Sequence, residues 1–136
     1  MILREFRDGD GDALRTFWLV CGIDLRPGDD DASLARFAAR DPALFLLAEE
    51  DARLIGSALA GWDGRRGWLY HVAVHPDHRR RGIARHMVGA LEERLAERGC
   101  PKVNLIVWAK NTVAVEFWER LGYAREATVE LGKALR

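Results

Sequence analysis

Three arginines and a glycine, Arg79-Arg80-Arg81-Gly82, separate an apolar run from a long amphipathic pattern, and no other stretch limits the fold so tightly. Upstream, Trp68–Val74 reads as a strand, ended by His75-Pro76. Downstream, Ile83, Met87, Leu91 and Leu95 recur at four-residue spacing, which predicts a helix beginning near Arg81. Gly99 supplies its C-terminal stop, and Arg94 and Arg98 suit the negative end of its dipole. The next segment, Lys102–Trp108, is apolar on both faces and reads as an interior strand. A strand, a tight turn, a helix and a second strand make one parallel crossover, which sets the class as α/β.

The remaining segments fit around that unit. Met1–Phe6 reads as a short strand, and Asp10 can cap a helix carrying Leu14, Phe17, Trp18 and Cys21 on one face. Gly22–Asp31 is a loop, and a second helix covers Ala32–Arg40 until Asp41-Pro42 ends it. The period then becomes extended: Ala43–Ala48, a polar turn and Leu54–Trp62 make a hairpin, and Asp63–Gly67 turns into the strand Trp68–Val74. Asn111 caps a last helix with Ala114, Phe117, Trp118 and Leu121, stopped by Gly122, and a terminal strand around Ala127–Leu135 closes the chain. The expected architecture is an α+β mixed sheet, antiparallel hairpins joined to a parallel β-α-β unit. With 136 residues and no visible linker or repeat, the chain reads as a single domain, 1–136.

Charge narrows the function. The 21 basic and 21 acidic side chains balance, so nothing pulls the whole chain toward nucleic acid or a membrane surface, and an anion site must be local. The opening MILREFRDGDGD lacks a secretory pattern, and no apolar stretch approaches the ~20 residues of a membrane span. Cys21 and Cys100 are isolated and read as reduced thiols of a cytoplasmic protein. His75, His78 and His86 follow no zinc-ligand spacing, so no metal is expected.

The local anion site falls at the arginine–glycine turn. The first turn of a helix has backbone N–H groups without partners and a dipole that favours negative charge. Gly82 lets an anion approach the backbone, Ala84 is small, and Arg79, Arg80 and Arg81 add positive charge where it opposes the helix dipole. A nucleotide-binding P-loop would need Lys-Ser/Thr where Ile83-Ala84 stands, and the three spaced glycines of a dinucleotide site are absent. Coenzyme A also carries a pyrophosphate, and its extended arm could lie along the preceding strand. The competing reading is that the three arginines decorate a solvated loop before an ordinary helix, although basic clusters there oppose the dipole.

The segment Val74-His-Pro-Asp-His-Arg79-Arg-Arg-Gly82-Ile-Ala84 resembles the acetyl-CoA motif of the GNAT superfamily of N-acetyltransferases, and Asn111–Tyr123 is similar to that family's second motif. Shorter pieces, Asp24–Pro27, Leu44–Glu49, Gly99–Lys102 and Leu131–Lys133, resemble the small bacterial YpeA-like acetyltransferases. The resemblance implies a GNAT-like sheet splayed between Trp68–Val74 and Lys102–Trp108, with the acyl-pantetheine wedged into the split. Backbone groups of Val72, Ala73 and Val74 would line the arm, with an N–H near Val74 on the thioester oxygen. Amides of Arg80 to Ala84, Ile83 included, would hold the pyrophosphate, and Asn111 and Trp118 would lie by the cofactor.

The implied reaction is transfer of an acetyl group from acetyl-CoA to a primary amine of a small molecule, peptide or protein. Neutralising a lysine-like amine at pH 7 costs about 4–5 kcal/mol, so a base should take its proton. Glu49, Asp63, Tyr70 and His71 are the candidates. Strand alternation sends Tyr70 and His71 to opposite faces, so both reach a substrate only if a bulge intervenes. Many family members carry tyrosine where Trp118 stands, and indole cannot give up a proton at ordinary pH. Water or Tyr123 would then protonate the departing thiolate. That departure keeps a second reading open, a non-catalytic acyl-CoA-binding module. A nucleic-acid domain built on Arg79–Arg81 lacks an extended basic stripe. A longer acyl group or a hydroxyl acceptor is equally compatible with the residues, and proteins of this kind are often homodimers. The acidic run Asp29–Asp31 reads as a solvated loop.

Overall fold

A computed structural model describes residues Met1–Arg136 and divides them into two compact units, Met1–Leu105 and Ile106–Arg136. The first contains β1 (Ile2–Glu5), α1 (Gly11–Val20), α2 (Asp31–Arg40), β2 (Phe45–Glu50), β3 (Arg53–Trp62), β4 (Gly67–Val74), α3 (Ile83–Glu97) and β5 (Val103–Asn104). Its five strands form one mixed sheet in sequence order, antiparallel from β1 to β4 and parallel between β4 and β5. The expected α/β class, with hairpins feeding a parallel crossover, is what the chain adopts. No helix is long and apolar enough to cross a membrane.

Both faces of the sheet are covered, which is why β2 could be a continuous apolar run. Phe45 and Leu47 of β2 and Leu59 of β3 pack with Leu14, Phe17 and Trp18 of α1 and Leu34 of α2. On the other face α3 buries Ile83, Met87, Val88, Leu91 and Leu95. Each fully buried leucine of this kind contributes roughly 1.5–3 kcal/mol. A Cβ at Gly56 of β3 would lie 2.8 Å from Met87 Cε and 3.3 Å from Ile83 Cγ2, so glycine there sets how closely α3 approaches the strand.

Several local expectations change. The Asp10 carboxylate does not cap α1. It receives Arg4 at 2.8 and 2.9 Å and the Arg7 N–H at 2.8 Å, tying β1 to the loop before the helix. Burial opposes that charge, yet the bonds from Arg4 and Arg7 hold the carboxyl below its usual range. Helix α2 begins one residue early because Asp30 caps it, accepting from the Ser33 N–H at 3.3 Å. The acidic run is not merely solvated: Asp30 caps, Asp31 meets Arg15 at 2.8 Å and Asp29 is buried.

The predicted strand Lys102–Trp108 shrinks to β5, Val103–Asn104. Only these two residues find a ladder partner, while Ile106 and Trp108 are exposed. The second unit holds α4 (Thr112–Arg120) and no strand, so the expected terminal strand around Ala127–Leu135 is absent. Alternation in that segment is real, but within its unit there is no strand edge to pair with, and Val129, Leu131 and Leu135 stay exposed.

Candidate functional site

The edge of β4 that leads into the arginine turn is half empty. His75 donates its N–H to the Ile55 carbonyl at 2.8 Å, and Ala73 pairs with Ser57. Antiparallel alternation then turns the backbone groups of Ala73 toward β3 and those of Val72 and Val74 toward the opposite edge. On that edge β5 reaches only Gly67 and Trp68. The splay expected between these strands is therefore an unfinished ladder from Leu69 onward. Ala73, named with its neighbours as an arm-lining residue, spends its backbone groups on β3; Val72 and Val74 face the gap.

After β4, a 3-10 turn over Pro76–His78 leads into two left-handed residues, Arg80 at φ 66° and Gly82 at φ 75°. Backbone that alternates in hand gathers successive N–H groups into an anion-binding concavity. No side chain caps α3 at Gly82, and its first-turn bond runs from the His86 N–H to the Gly82 carbonyl at 3.0 Å. The amides of Ile83 and Ala84 precede that bond, so they belong to the orphan donors of the helix start. A Cβ at Gly82 meets nothing within 4 Å, so the turn is not packed against the rest of the chain at this position. The turn fits a pyrophosphate.

The three arginines do not act alike. Arg79 donates from Nε to the Val74 carbonyl at 3.2 Å, and Arg80 carries the left-handed backbone. Arg81 is held by Glu50, with Nη2–Oε1 at 2.8 Å and Nη1–Oε2 at 3.0 Å, beside His78. The hydrogen bonds from Arg81 lower the Glu50 carboxyl from its ordinary 4.5 to about 2. A carboxyl depressed on folding stabilises above its unfolded value and loses that contribution as pH falls toward the folded one. Wild type should therefore exceed Glu50→Gln in thermal stability at pH 5–7, and the gap should close between about pH 4.5 and pH 2. It should also shrink in ~1 M salt, because the pair is near the surface. Calorimetric melts of both proteins across that pH range check it.

On the α1–α2 face of the sheet, the conditional bulge exists. The β3–β4 register shifts between Ser57 and Leu59, opposite His71 at φ 44°. Tyr70 meets Phe37 of α2 edge to face at 6.0 Å, and the His71 ring lies against Trp18 of α1 at 4.4 Å, tilted by 56°. The bulge thus turns two consecutive side chains to one face. Ser57 Oγ pins it, accepting from Trp18 Nε1 at 2.9 Å and donating to the His71 carbonyl at 2.7 Å. His71 Nε2 meets both Asp29 oxygens, at 2.9 and 3.1 Å. Burial pushes the Tyr70 phenol up, with Arg40 opposing, which disfavours the phenolate.

Glu49 is not with them. Arg4 donates to its Oε1 from Nε at 2.9 Å and keeps Nη2 in ion-pair contact at 2.8 Å, so its carboxylate serves the β1–β2 network. Asp63 accepts the N–H groups of Arg65 and Arg66 at 2.8 and 2.9 Å and shapes the turn before β4. Sequence reasoning missed Asp29 as a partner, since 42 residues separate it from His71 and no local pattern joins them.

In the second unit, Asn111 caps α4 as expected, Oδ1 accepting from the Ala114 N–H at 3.1 Å. Trp118 is packed edge to face between Phe117 and Tyr123, at 5.2 and 5.1 Å. Its ring plays a packing part within that unit.

Comparison with known proteins gives these features a context. The model of the acetyltransferase (GNAT) family matches residues 12–123. An acetyltransferase of Pectobacterium atrosepticum is 41% identical over 136 residues, covering 99% of this chain and 96% of that protein. Among solved structures, Ard1 of Thermoplasma volcanium is similar with a TM-score of 0.81 at 18% identity, covering 93% of this chain and 84% of that one. The PaiA N-acetyltransferase of Thermoplasma acidophilum, in complex with coenzyme A, has a TM-score of 0.79 at 20% identity, covering 94% and 92%. At these identities the structures speak for the fold.

Proposed function

The chain belongs to the acetyltransferase (GNAT) family, and from that premise we propose that it transfers an acetyl group from acetyl-CoA to a primary amine by direct attack in a ternary complex. The family model spans both compact units, which supports one acyltransferase domain over 1–136, and the absence of a spanning helix is compatible with a cytoplasmic site of action. One observation carries the donor half: the alternating-hand turn Arg79–Gly82 and the uncapped start of α3 lie directly after the open edge of β4. Amides of Arg80, Arg81, Gly82, Ile83 and Ala84 would receive the pyrophosphate, and the backbone of Val72 and Val74 the arm.

Bound acetyl-CoA supplies an activated acyl carbon and a thiolate leaving group. The chain's own part is alignment and charge. Holding an amine against that carbon accounts for several kcal/mol of barrier reduction. An N–H such as that of Val74, aimed at the oxygen where charge develops, adds roughly 3 kcal/mol. A simple thiol has a pKa of ~8.5, so its thiolate leaves with little help, and Trp118 in place of a tyrosine does not forbid turnover. Water or Tyr123 would supply the last proton. Tyr70 and His71, on one face of β4, are the acceptor-side candidates, and Glu49 is set aside because Arg4 engages it.

Trp118 also favours a second reading, a module that binds acyl-CoA without catalysis. A thiol-release assay with acetyl-CoA against pooled amines and peptides, run beside calorimetry, separates the two. Acyl-dependent release with at least one amine is expected. Binding without release from any of them would establish the module, and no binding at all would end both readings.

A further inference from the structure

Asp29, which is buried, meets the half-buried His71 in a pairing that packing alone does not require. Asp29 is only 8% exposed, and an unpartnered carboxylate there would be costly, so a neighbour is expected. An imidazole at a strained position is a demanding choice of neighbour. His71 is a non-glycine residue in the left-handed region, a conformation that costs about 1–3 kcal/mol and persists only where its surroundings enforce it. Here they do: Ser57 holds its carbonyl, Trp18 holds its ring, and Asp29 holds Nε2. Asp29 is itself fixed, because its Oδ2 accepts the Arg26 N–H at 3.0 Å.

The arrangement determines the tautomer. A carboxylate accepts and cannot donate, so the nitrogen it faces carries the hydrogen, and Nδ1 of the neutral ring is left with its lone pair. Nδ1 has no protein partner in the structure, and the side chain keeps 21% of its surface accessible. The next residue, Val72, turns its backbone to the open edge of β4. A base with an oriented lone pair therefore adjoins the strand assigned to the acyl arm.

We propose that His71 Nδ1 accepts the proton of the incoming ammonium group, with Asp29 as the positioning residue that fixes the ring and its tautomer. This rests on the acyltransferase reading above. In the step, the ammonium gives one proton to Nδ1, and the neutral amine's lone pair forms the N–C bond as the C–S bond breaks. The amide nitrogen loses its extra proton, the thiolate gains one through solvent, and the imidazolium returns its proton to water. The products are an acetamide, coenzyme A thiol and one released proton.

Two variants test it, read on the best amine of the thiol-release panel. His71→Asn suits the left-handed backbone and removes the base, so kcat should fall by about 10²-fold or more. Asp29→Asn retains the shape but presents an amide donor that favours protonation of Nδ1, so kcat should fall about tenfold or more with KM for acetyl-CoA unchanged. Nitrogen-15 NMR of His71 should show hydrogen on Nε2 in wild type and its displacement to Nδ1 in Asp29→Asn. Hydrogen on Nδ1 in wild type would overturn the proposal, as would kcat within threefold of wild type in His71→Asn. Loss of acetyl-CoA binding together with kcat in both variants would also overturn it, by making the pair a structural support. A wild type that binds no acetyl-CoA would sink the earlier reading instead.

Discussion

Gly82→Trp should abolish acetyl-CoA binding while leaving the protein folded. The two effects separate because of where the missing side chain would point. A Cβ at this position meets nothing within 4 Å, so no core contact is crushed by the substitution. The φ of 75° does impose strain on any L residue, about 1–2 kcal/mol, and that is the whole expected cost to stability. The indole would occupy the space before the amides of Ile83 and Ala84, which no side chain caps. Calorimetric titration should show affinity weakened beyond ~100-fold, a loss of about 2.7 kcal/mol or more. The melting temperature should fall only by several degrees. Gly82→Ala provides the control, since it adds the strain with little bulk. If the tryptophan variant binds acetyl-CoA as wild type does, the diphosphate is not held at this turn.

Trp18→Ala carries the largest expected cost to the fold. Its ring is fully buried and packs among Leu14, Phe17 and Leu59 beneath the sheet. Truncating a buried tryptophan typically costs 3–5 kcal/mol, which in a chain of this size lowers the melting temperature by roughly 10–20 °C. The same ring donates to Ser57 and lies against the His71 imidazole, so the loss also reaches the residue proposed as the base. Trp18→Phe isolates the polar part. It keeps most of the volume but removes the Nε1 donor, with an expected cost of about 1 kcal/mol. Turnover should suffer more than acetyl-CoA binding in both variants, because α3 and the phosphate turn lie on the other face of the sheet. Denaturant melts and parallel titrations check this ordering; equal loss of binding and turnover would contradict it.

What the chain announced in advance was local. Four-residue spacing from Ile83 to Leu95 gave α3, and the arginine–glycine turn placed its uncapped start after a strand. Asn111 could be read as a cap because the bond it makes spans three residues. Contacts between distant segments were hidden. Asp29 looked like one of three solvated acids, yet it alone is buried against a histidine on β4. Glu49 looked available as a base until Arg4, 45 residues away, was found to engage it. The bulge in β4 carries no glycine to mark it, since His71 itself takes the left-handed backbone. The terminal segment failed for another reason: alternation shows that a strand is possible but not that a partner edge exists.

That unmarked bulge makes one strand obey two parities. Toward Gly67, even-numbered side chains such as Tyr70 share a face with α1 and α2; past the kink, odd-numbered ones such as Ala73 do so. The halves of β4 are thus geometrically uncoupled. On the proposed reading, side chains on the acceptor half can change without reorienting the backbone of Val72 and Val74, so amine preference is separable from the grip on the acyl carrier.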